Sequence, residues 1–337
     1  MAILALENLK VDYASSGGRV KAVDRGTFVV PDGQVVGLVG ESGCGKTTLA
    51  RAITGVMPRN ARIAGGHIVF EGRDLVTASP REQADVLWRK IAFIPQSAMN
   101  ALDPVYRIAS QIREVLVERG NYRKADVGPR IDLLLQMVGL DPGRQHDYPH
   151  QFSGGMRQRV GIALALALEP KLLIADEPVT ALDVIVQRQV LDTLRDLQQR
   201  LGLSIVMVTH DISVVAYICD RVVVMYAGQV VEAGPVGEVL ARPRHPYTMG
   251  LTNAFPDLAR AADQLVPIPG APPDLRDPPN GCRFAARCPF VVARCRTEDP
   301  PLAEVDDDHV ASCWRADEAP QLRPRAMEAA AWQTSSL

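Results

Sequence analysis

Gly40-Glu-Ser-Gly-Cys-Gly45-Lys46-Thr47 lies between the apolar run Val35-Val-Gly-Leu-Val39 and the helix-forming run Lys46 to Ile53, which Gly55 stops. Glycine, four residues, glycine, lysine and threonine between a buried strand and a helix is the pattern of a phosphate-binding loop, and its setting is the one the mechanism demands. Glycines let the backbone wrap tightly, so that successive N–H groups and the positive end of the following helix face the phosphates. Lys46 supplies a point charge to the outer phosphates, and the Thr47 hydroxyl can ligate Mg²⁺. The predicted nucleotide contacts are Gly40, Glu41, Ser42, Gly43, Cys44, Gly45, Lys46, Thr47 and Thr48. Cys44 fills a free position of the pattern and reads as an incidental small residue.

Further along, Leu172-Leu-Ile-Ala-Asp176-Glu177 is an apolar strand ending in two carboxylates. That placement lets Asp176 hold the magnesium shell and Glu177 orient or deprotonate water. Lys171 to Ala175 and Ser204 to Val208 have the length and apolar character of strands in a parallel sheet covered on both faces. Val190, Leu194, Leu197 and Leu201 mark a helix between them. Nearer the start, Leu4, Leu6, Leu9, Val11 and Tyr13, a turn at Ser15 to Gly18, and Thr27 to Val30 predict a small antiparallel layer of short strands. Residues 97 to 150 show helical stretches around Gln111 to Arg119 and Ile131 to Val138 and no good strand, which predicts an inserted helical subdomain of about 97–158. Arg221 to Tyr226 and Gln229 to Glu232 flank Ala227-Gly228 as a hairpin.

The whole is an α/β P-loop fold with a mixed sheet, followed from about Pro256 by a proline- and cysteine-rich stretch without periodicity. The sequence thus divides into a nucleotide-binding domain over 1–255, an extension over 256–320 and a tail over 321–337, frayed from Ala326 on. Its 337 residues suffice for one large domain and an appendage. Thirty-seven basic residues nearly balance 39 acidic ones, so no global field recommends nucleic acid as a partner. No apolar run approaches the roughly 20 residues of a spanning helix. The start, Met1 to Glu7, lacks the basic and apolar regions of a secretory signal, which predicts a cytosolic chain with reduced thiols.

Phe152-Ser-Gly-Gly-Met156-Arg-Gln-Arg159 resembles the signature segment of ABC ATPases. Ile94-Pro-Gln96 resembles their Q-loop, Thr180-Ala-Leu-Asp183 their D-loop and Thr209-His210-Asp211 their switch histidine, all in the family's order. Phe152 and Met156 replace the commoner leucine and glutamine, while the middle of the segment is intact. The resemblance implies an ABC-type fold with Glu177, His210 and Gln96 as catalytic residues and Thr47, Gln96 and Asp176 around Mg²⁺. It also implies Tyr13 stacking on adenine. Ser153, Gly154, Gly155 and Met156, with Asp183, would meet a nucleotide held by a partner, in a head-to-tail dimer with two composite sites.

Within the family the sequence is similar to the ATP-binding subunits of dipeptide and oligopeptide importers, whose wider group includes nickel importers. The carriers are the same signature through Val160, Asn100-Ala-Leu-Asp-Pro104, His245-Pro-Tyr-Thr248, Ile268-Pro-Gly270 and Gly281 to Pro289. That group implies an energy-coupling ATPase at the cytoplasmic face of the membrane. Its partners would be a second, homologous ATPase subunit, two membrane-spanning permeases and an external solute-binding protein.

Cys282, Cys288, Cys295 and Cys313 are separated by five, six and seventeen residues. Zinc sites usually show a closely spaced pair, which is lacking here; four thiolates can also hold an iron–sulfur cluster, or stay free or bridged. Members of the resembled group with this cysteine pattern carry a [4Fe–4S] cluster, so the resemblance favours that reading. Cys219, on an apolar segment, reads as a buried thiol. Two other functions compete with transport: a soluble ABC ATPase of DNA repair, translation or cluster assembly, and a small-molecule P-loop kinase. The sequence has neither the coiled-coil insertion nor the tandem cassette that would support the first. Its signature, D-loop and switch histidine argue against the second.

Overall fold

The computed structural model describes residues 1–87, 89–96, 101–253 and 266–333. Asn100, the domain boundary expected near Pro256 and the last four residues of the tail lie outside the described residues. The chain forms two compact units. One comprises Met1–Leu4, Val30–Val35 and Glu71–Val208; the other comprises Ala5–Val29, Val36–Phe70 and Thr209–Leu337. The described part of the extension, from residue 266 on, therefore falls in the same unit as the phosphate-binding loop.

In that second unit, Val36 to Val39 of the fully buried strand Val35–Val39 pair in parallel with Arg221–Tyr226, from Val36 against Arg221 to Val39 against Val224. Near-continuous apolar runs are what a strand covered on both faces requires. Arg221–Tyr226 turns back through Ala227 (φ 46°) and Gly228 (φ 84°) into the antiparallel strand Gln229–Pro235. Two positive φ values in a two-residue link match the right-handed twist of the strands they join. His309–Ala311 then pairs with Gln229–Pro235, and Ala303–Asp306 pairs with His309–Ala311. The cysteine-rich stretch thus supplies two strands to this sheet, where the sequence showed no strand periodicity.

The small layer also differs from the sequence reading, because its strands are long. Ala2–Ser15 and Gly18–Pro31 are fourteen residues each, joined at Ser16-Gly17, and Ala61–Phe70 lies on the other side of Ala2–Ser15. The spacing of three between Leu6 and Leu9 breaks the alternation because Asn8 takes a left-handed φ of 49°. Gly66 (φ 81°) faces it, where a Cβ would stand 2.3 Å from the Asn8 carbonyl oxygen.

The first unit holds the parallel strands Ser204–Val208, Leu172–Asp176 and Ile91–Ile94, in that order. The helix Val184–Leu201 is capped by the Asp183 side chain and ended by Gly202 at φ 63°. It buries Val190, Leu191, Leu194 and Leu197, while Leu201, expected on the same face, is 51% exposed in the last turn. Helices Ile108–Glu114, Lys124–Met137 and Gly154–Ala165, with a π-helical turn at Val115–Arg119, bury Ile112, Leu116, Ile131 and Leu135.

The end of the chain corrects the expectation of fraying from Ala326. Helices Ala319–Ala326 and Ala329–Gln333 form there, and Trp332 is only 2% exposed. Its Nε1 donates to the Ala326 carbonyl at 2.8 Å, and its ring lies against Gly250, where a Cβ would meet it at 2.6 Å. Alanine lowers the cost of the short helix, and one indole buries enough apolar area to hold it. Trp332→Ala is expected to lower stability by about 3–5 kcal/mol. A chemical-denaturation midpoint unchanged from wild type would show that the tail is dispensable.

Candidate functional site: a phosphate-binding loop and a carboxylate cluster

The loop conformation follows from two close approaches. Gly40 (φ 150°) and Gly45 (φ 104°) bring their Cα atoms so near to neighbouring backbone that a Cβ would stand 2.1 Å from the Met225 oxygen and 2.3 Å from the Ala22 oxygen. Neither position accepts a side chain. Gly45 is the N-cap of the Lys46–Thr54 helix, which Gly55 closes at φ 67°. Lys46 is 7% exposed, and its Nζ donates to the loop carbonyls of Gly40 (2.7 Å) and Glu41 (3.0 Å). Those carbonyls satisfy the buried ammonium and fix its position at the mouth of the helix. Ser42 and Gly43 are exposed, Thr47 and Thr48 half-buried. Burial raises the pKa of the Cys44 thiol, partly offset by the nearby Lys46 charge. Half-buried Tyr13 reaches the loop through its hydroxyl, 3.2 Å from Thr48 Oγ1.

Two contacts to the loop were not legible in the sequence. The Tyr247 hydroxyl accepts the Glu41 N–H at 2.9 Å, and Arg287 forks onto the Glu41 carboxylate at 2.8 and 2.9 Å. Both come from segments that carry the resemblance to the importer group and were given no role at the loop. In the same unit, exposed His210 follows buried Thr209, whose N–H donates to Leu38 O at 3.1 Å. Asp211 caps the helix Ile212–Ile218 by accepting from Ser213 N at 2.8 Å.

The first unit assembles the carboxylates. Asp176, at the end of its strand, is 1% exposed. Glu177 follows at a left-handed φ of 49°, with its N–H donating to Val208 O at 2.9 Å. A non-glycine residue in that region is uncommon and turns the side chain out of the strand's alternation. Glu177 Oε2 accepts from Gln96 Nε2 at 2.8 Å and from Thr180 Oγ1 at 3.0 Å. Two of the expected catalytic residues, distant in sequence, thus touch. Thr180 was not singled out, though its spacing of three from Glu177 could have suggested it.

Ser153 caps the helix Gly154–Ala165, its Oγ accepting from Met156 N at 3.3 Å, and Asp183 Oδ1 accepts from Val186 N at 3.0 Å. These two motifs meet. A Cβ on Gly155 would lie 2.3 Å from Val186 Cγ1, so the signature glycine makes room for the residue three past Asp183.

Cys282, Cys288, Cys295 and Cys313 are free thiols lining one cavity together with His245, Phe284 and Phe290. The Cys282 N–H donates to Cys295 O at 2.8 Å. Burial raises the Cys282 thiol to about 11 and the Cys313 thiol to about 12, and pushes Cys288 up as well. Among the described residues no group of three or more Cys, His, Asp or Glu stands ready to hold a metal ion. Cys219 is buried, as read.

A phosphate loop, a strand ending in carboxylates and a glutamine on the second of them, on a mixed sheet with helices, are the marks of an ABC-type P-loop ATPase. The ABC transporter family matches residues 23–180, and the oligopeptide/dipeptide transporter C-terminal region matches residues 231–295. A probable peptide ABC transporter ATP-binding protein of Sinorhizobium fredii is 43% identical over 95% of this chain and 97% of its own length. The dipeptide transport ATP-binding protein DppD of Lactococcus lactis is also 43% identical, over 98% of this chain and 96% of its own. Among solved structures, the dimeric ATP-binding cassette MJ0796, bound to ADP and Pi after hydrolysis, superposes with a TM-score of 0.62. It is 26% identical and covers 69% of this chain and 98% of its own. The chain belongs to the ABC transporter family, among its ATP-binding subunits. Among the described residues no helix is long and apolar enough to cross a membrane.

Gly155→Ala is expected to destabilise the protein by about 1–3 kcal/mol through overpacking. Val186→Ala in the same chain should recover most of that loss. Thermal melts of the four proteins test this, and purely additive losses would show that the two residues do not press on each other.

Proposed function

We propose that this chain is the ATP-hydrolysing, energy-coupling subunit of an importer for dipeptides, oligopeptides or related solutes. The observation that carries the reading is the phosphate-binding loop. Its glycines press against backbone, and its lysine is buried at a helix start. The names of the relatives supply the solute class, and the matched C-terminal region agrees with them. The chain works with a second ATPase subunit, two permeases and a solute-binding protein, and it sits peripherally on the transporter. ATP binding draws two such subunits together, hydrolysis releases them, and the motion passes to the permeases.

The roles divide by chemistry. Lys46 neutralises phosphate charge, and Gln96 and Thr180 orient Glu177, which acts on the attacking water. The oxygen donors of Thr47, Gln96 and Asp176 suit magnesium, which supplies charge neutralisation at the phosphates when bound. Tyr13 stacks on adenine once its hydroxyl leaves Thr48. His210 contacts the outer phosphate. Ser153, Gly154, Gly155, Met156 and Asp183 face the partner's nucleotide. In the assembled transporter Lys46→Ala should abolish ATP binding, whereas Glu177→Gln should keep binding and lose at least about a hundredfold in turnover. Near-normal hydrolysis by Glu177→Gln would remove it from the role of catalytic carboxylate.

We propose further that Cys282, Cys288, Cys295 and Cys313 hold a [4Fe–4S] cluster. What supports this is the donor set: four free thiols lining one cavity, without the closely spaced pair usual for zinc. The thiols must draw closer together and release their protons to bind it. Uptake is therefore favoured as pH rises, since burial keeps the unliganded thiols protonated. Protein purified without oxygen should contain about four iron and four sulfide per chain. Cys288→Ser should lose them while ATP still binds at Lys46. Stoichiometric zinc, or no metal at all, would sink this assignment.

A further inference from the structure

Glu41 is the only acid in the loop Gly40 to Thr48, and that loop must receive a polyanion. An unneutralised carboxylate there would repel the incoming phosphates. Besides the Cys44 N–H, which donates to its carbonyl at 3.2 Å, three side chains hold Glu41. Tyr247 takes its N–H at 2.9 Å, Lys46 Nζ reaches its carbonyl at 3.0 Å, and Arg287 grips both carboxylate oxygens. Arg287 is itself fixed. Its side chain is 6% exposed, its Nε donates to Pro269 O at 2.8 Å, and its guanidinium reaches Tyr226 Oη at 3.2 Å and Ile268 O at 3.3 Å. The planar fork, matched to a carboxylate and held from behind, is an interaction that lysine cannot reproduce.

Lys46 must leave the Glu41 carbonyl to meet phosphate, so Arg287 and Tyr247 are the side-chain contacts that persist when the loop is occupied. We propose that Arg287, assisted by Tyr247, is a positioning residue that neutralises Glu41 and fixes the phosphate-binding loop, so that the C-terminal region sets the affinity for ATP. The inference rests on the reading of the loop as the ATP site. The pair is only partly shielded, with Glu41's side chain 27% exposed, so a carboxylate left alone can still be hydrated. Loss of Arg287 therefore falls on ATP affinity before it falls on folding.

The test is the ATP dependence of hydrolysis in the assembled transporter, with MgATP as the probe. Arg287→Met should raise KM for ATP about tenfold, with kcat changed by less than about twofold. Glu41→Gln in the Arg287→Met background should bring KM back to within about threefold of wild type, because the repelling charge is gone. A merely structural role for Arg287 would not be rescued by removing its partner's charge. Tyr247→Phe, which loses only the hydroxyl, should raise KM about threefold and serves as the second variant if Arg287→Met assembles poorly. Wild-type KM in Arg287→Met or, where that variant does not assemble, in Tyr247→Phe overturns the proposal, and so does a loss that Glu41→Gln leaves in place. Lys46→Ala separates the two readings. Abolished ATP binding there alongside wild-type KM in Arg287→Met removes only the positioning role, whereas retained ATP binding in Lys46→Ala removes both.

Discussion

The phosphate-binding loop is shaped by its contact with the backbone on either side of it, and the nucleotide site depends on that contact. Because Val35–Val39 runs parallel to Arg221–Tyr226, the chain leaves its strand directly beside the Met225 carbonyl, and only glycine at position 40 passes. The same restriction at Gly45, against Ala22, forces the turn into the Lys46–Thr54 helix. The backbone N–H groups at the helix start are then left without intrahelical partners, which makes the place a site for anions. Lys46 is the charge this geometry needs, and its burial against the loop's carbonyls keeps it there.

The C-terminal region is joined to this unit by buried polar groups as well as by strands. Glu232 is fully buried, yet accepts from the backbone N–H groups of Arg244 (2.6 Å) and His245 (2.9 Å) and pairs with His309 at 2.8 Å. A buried carboxylate satisfied from three sides ties its strand to two later segments, and an unsatisfied one would be costly. Arg283 repeats the theme by pairing with Asp24 and donating to Ala227 O at 2.5 Å. Tyr226, Tyr247 and Phe284 pack against one another in tilted and edge-to-face arrangements, with ring centroids 4.7 to 5.5 Å apart. The arginine on Glu41 and one of the four thiols, Arg287 and Cys288, are consecutive residues. The cysteine cavity and the loop therefore share one short stretch of backbone.

The other unit solves a different problem, that of aiming a carboxylate. Asp176 continues the alternation of its buried strand, whereas Glu177 breaks it through a left-handed φ. The departure turns Glu177 toward Gln96 and Thr180, which fix its orientation with two hydrogen bonds. Strain of this kind persists only where the surroundings hold it, as the Glu177 N–H to Val208 O bond does here.

Contiguous chemistry was readable in the sequence. The phosphate loop, the strand ending in Asp176-Glu177 and the hairpin at Ala227-Gly228 are each complete within a few residues, so their spacing is itself the mechanism. The order of the four further motifs narrowed the class, because each needs only a short segment. The strands at 303–306 and 309–311 were missed because three or four residues are too few for a period to show, and pairing with Gln229–Pro235 decides their conformation. The tail was misread for a like reason, since a lone tryptophan signals burial only once Gly250 stands opposite it. Arg287 lies 246 residues from Glu41 and Tyr247 lies 206 from it, and the fit of Gly155 against Val186 is likewise a matter of approach. The sequence alone determined where the glycine-rich loop and the paired carboxylates lie, because those patterns are local. Only the tertiary structure decided what holds those residues in place, because the holding groups come from parts of the chain whose own patterns contain no trace of their partners.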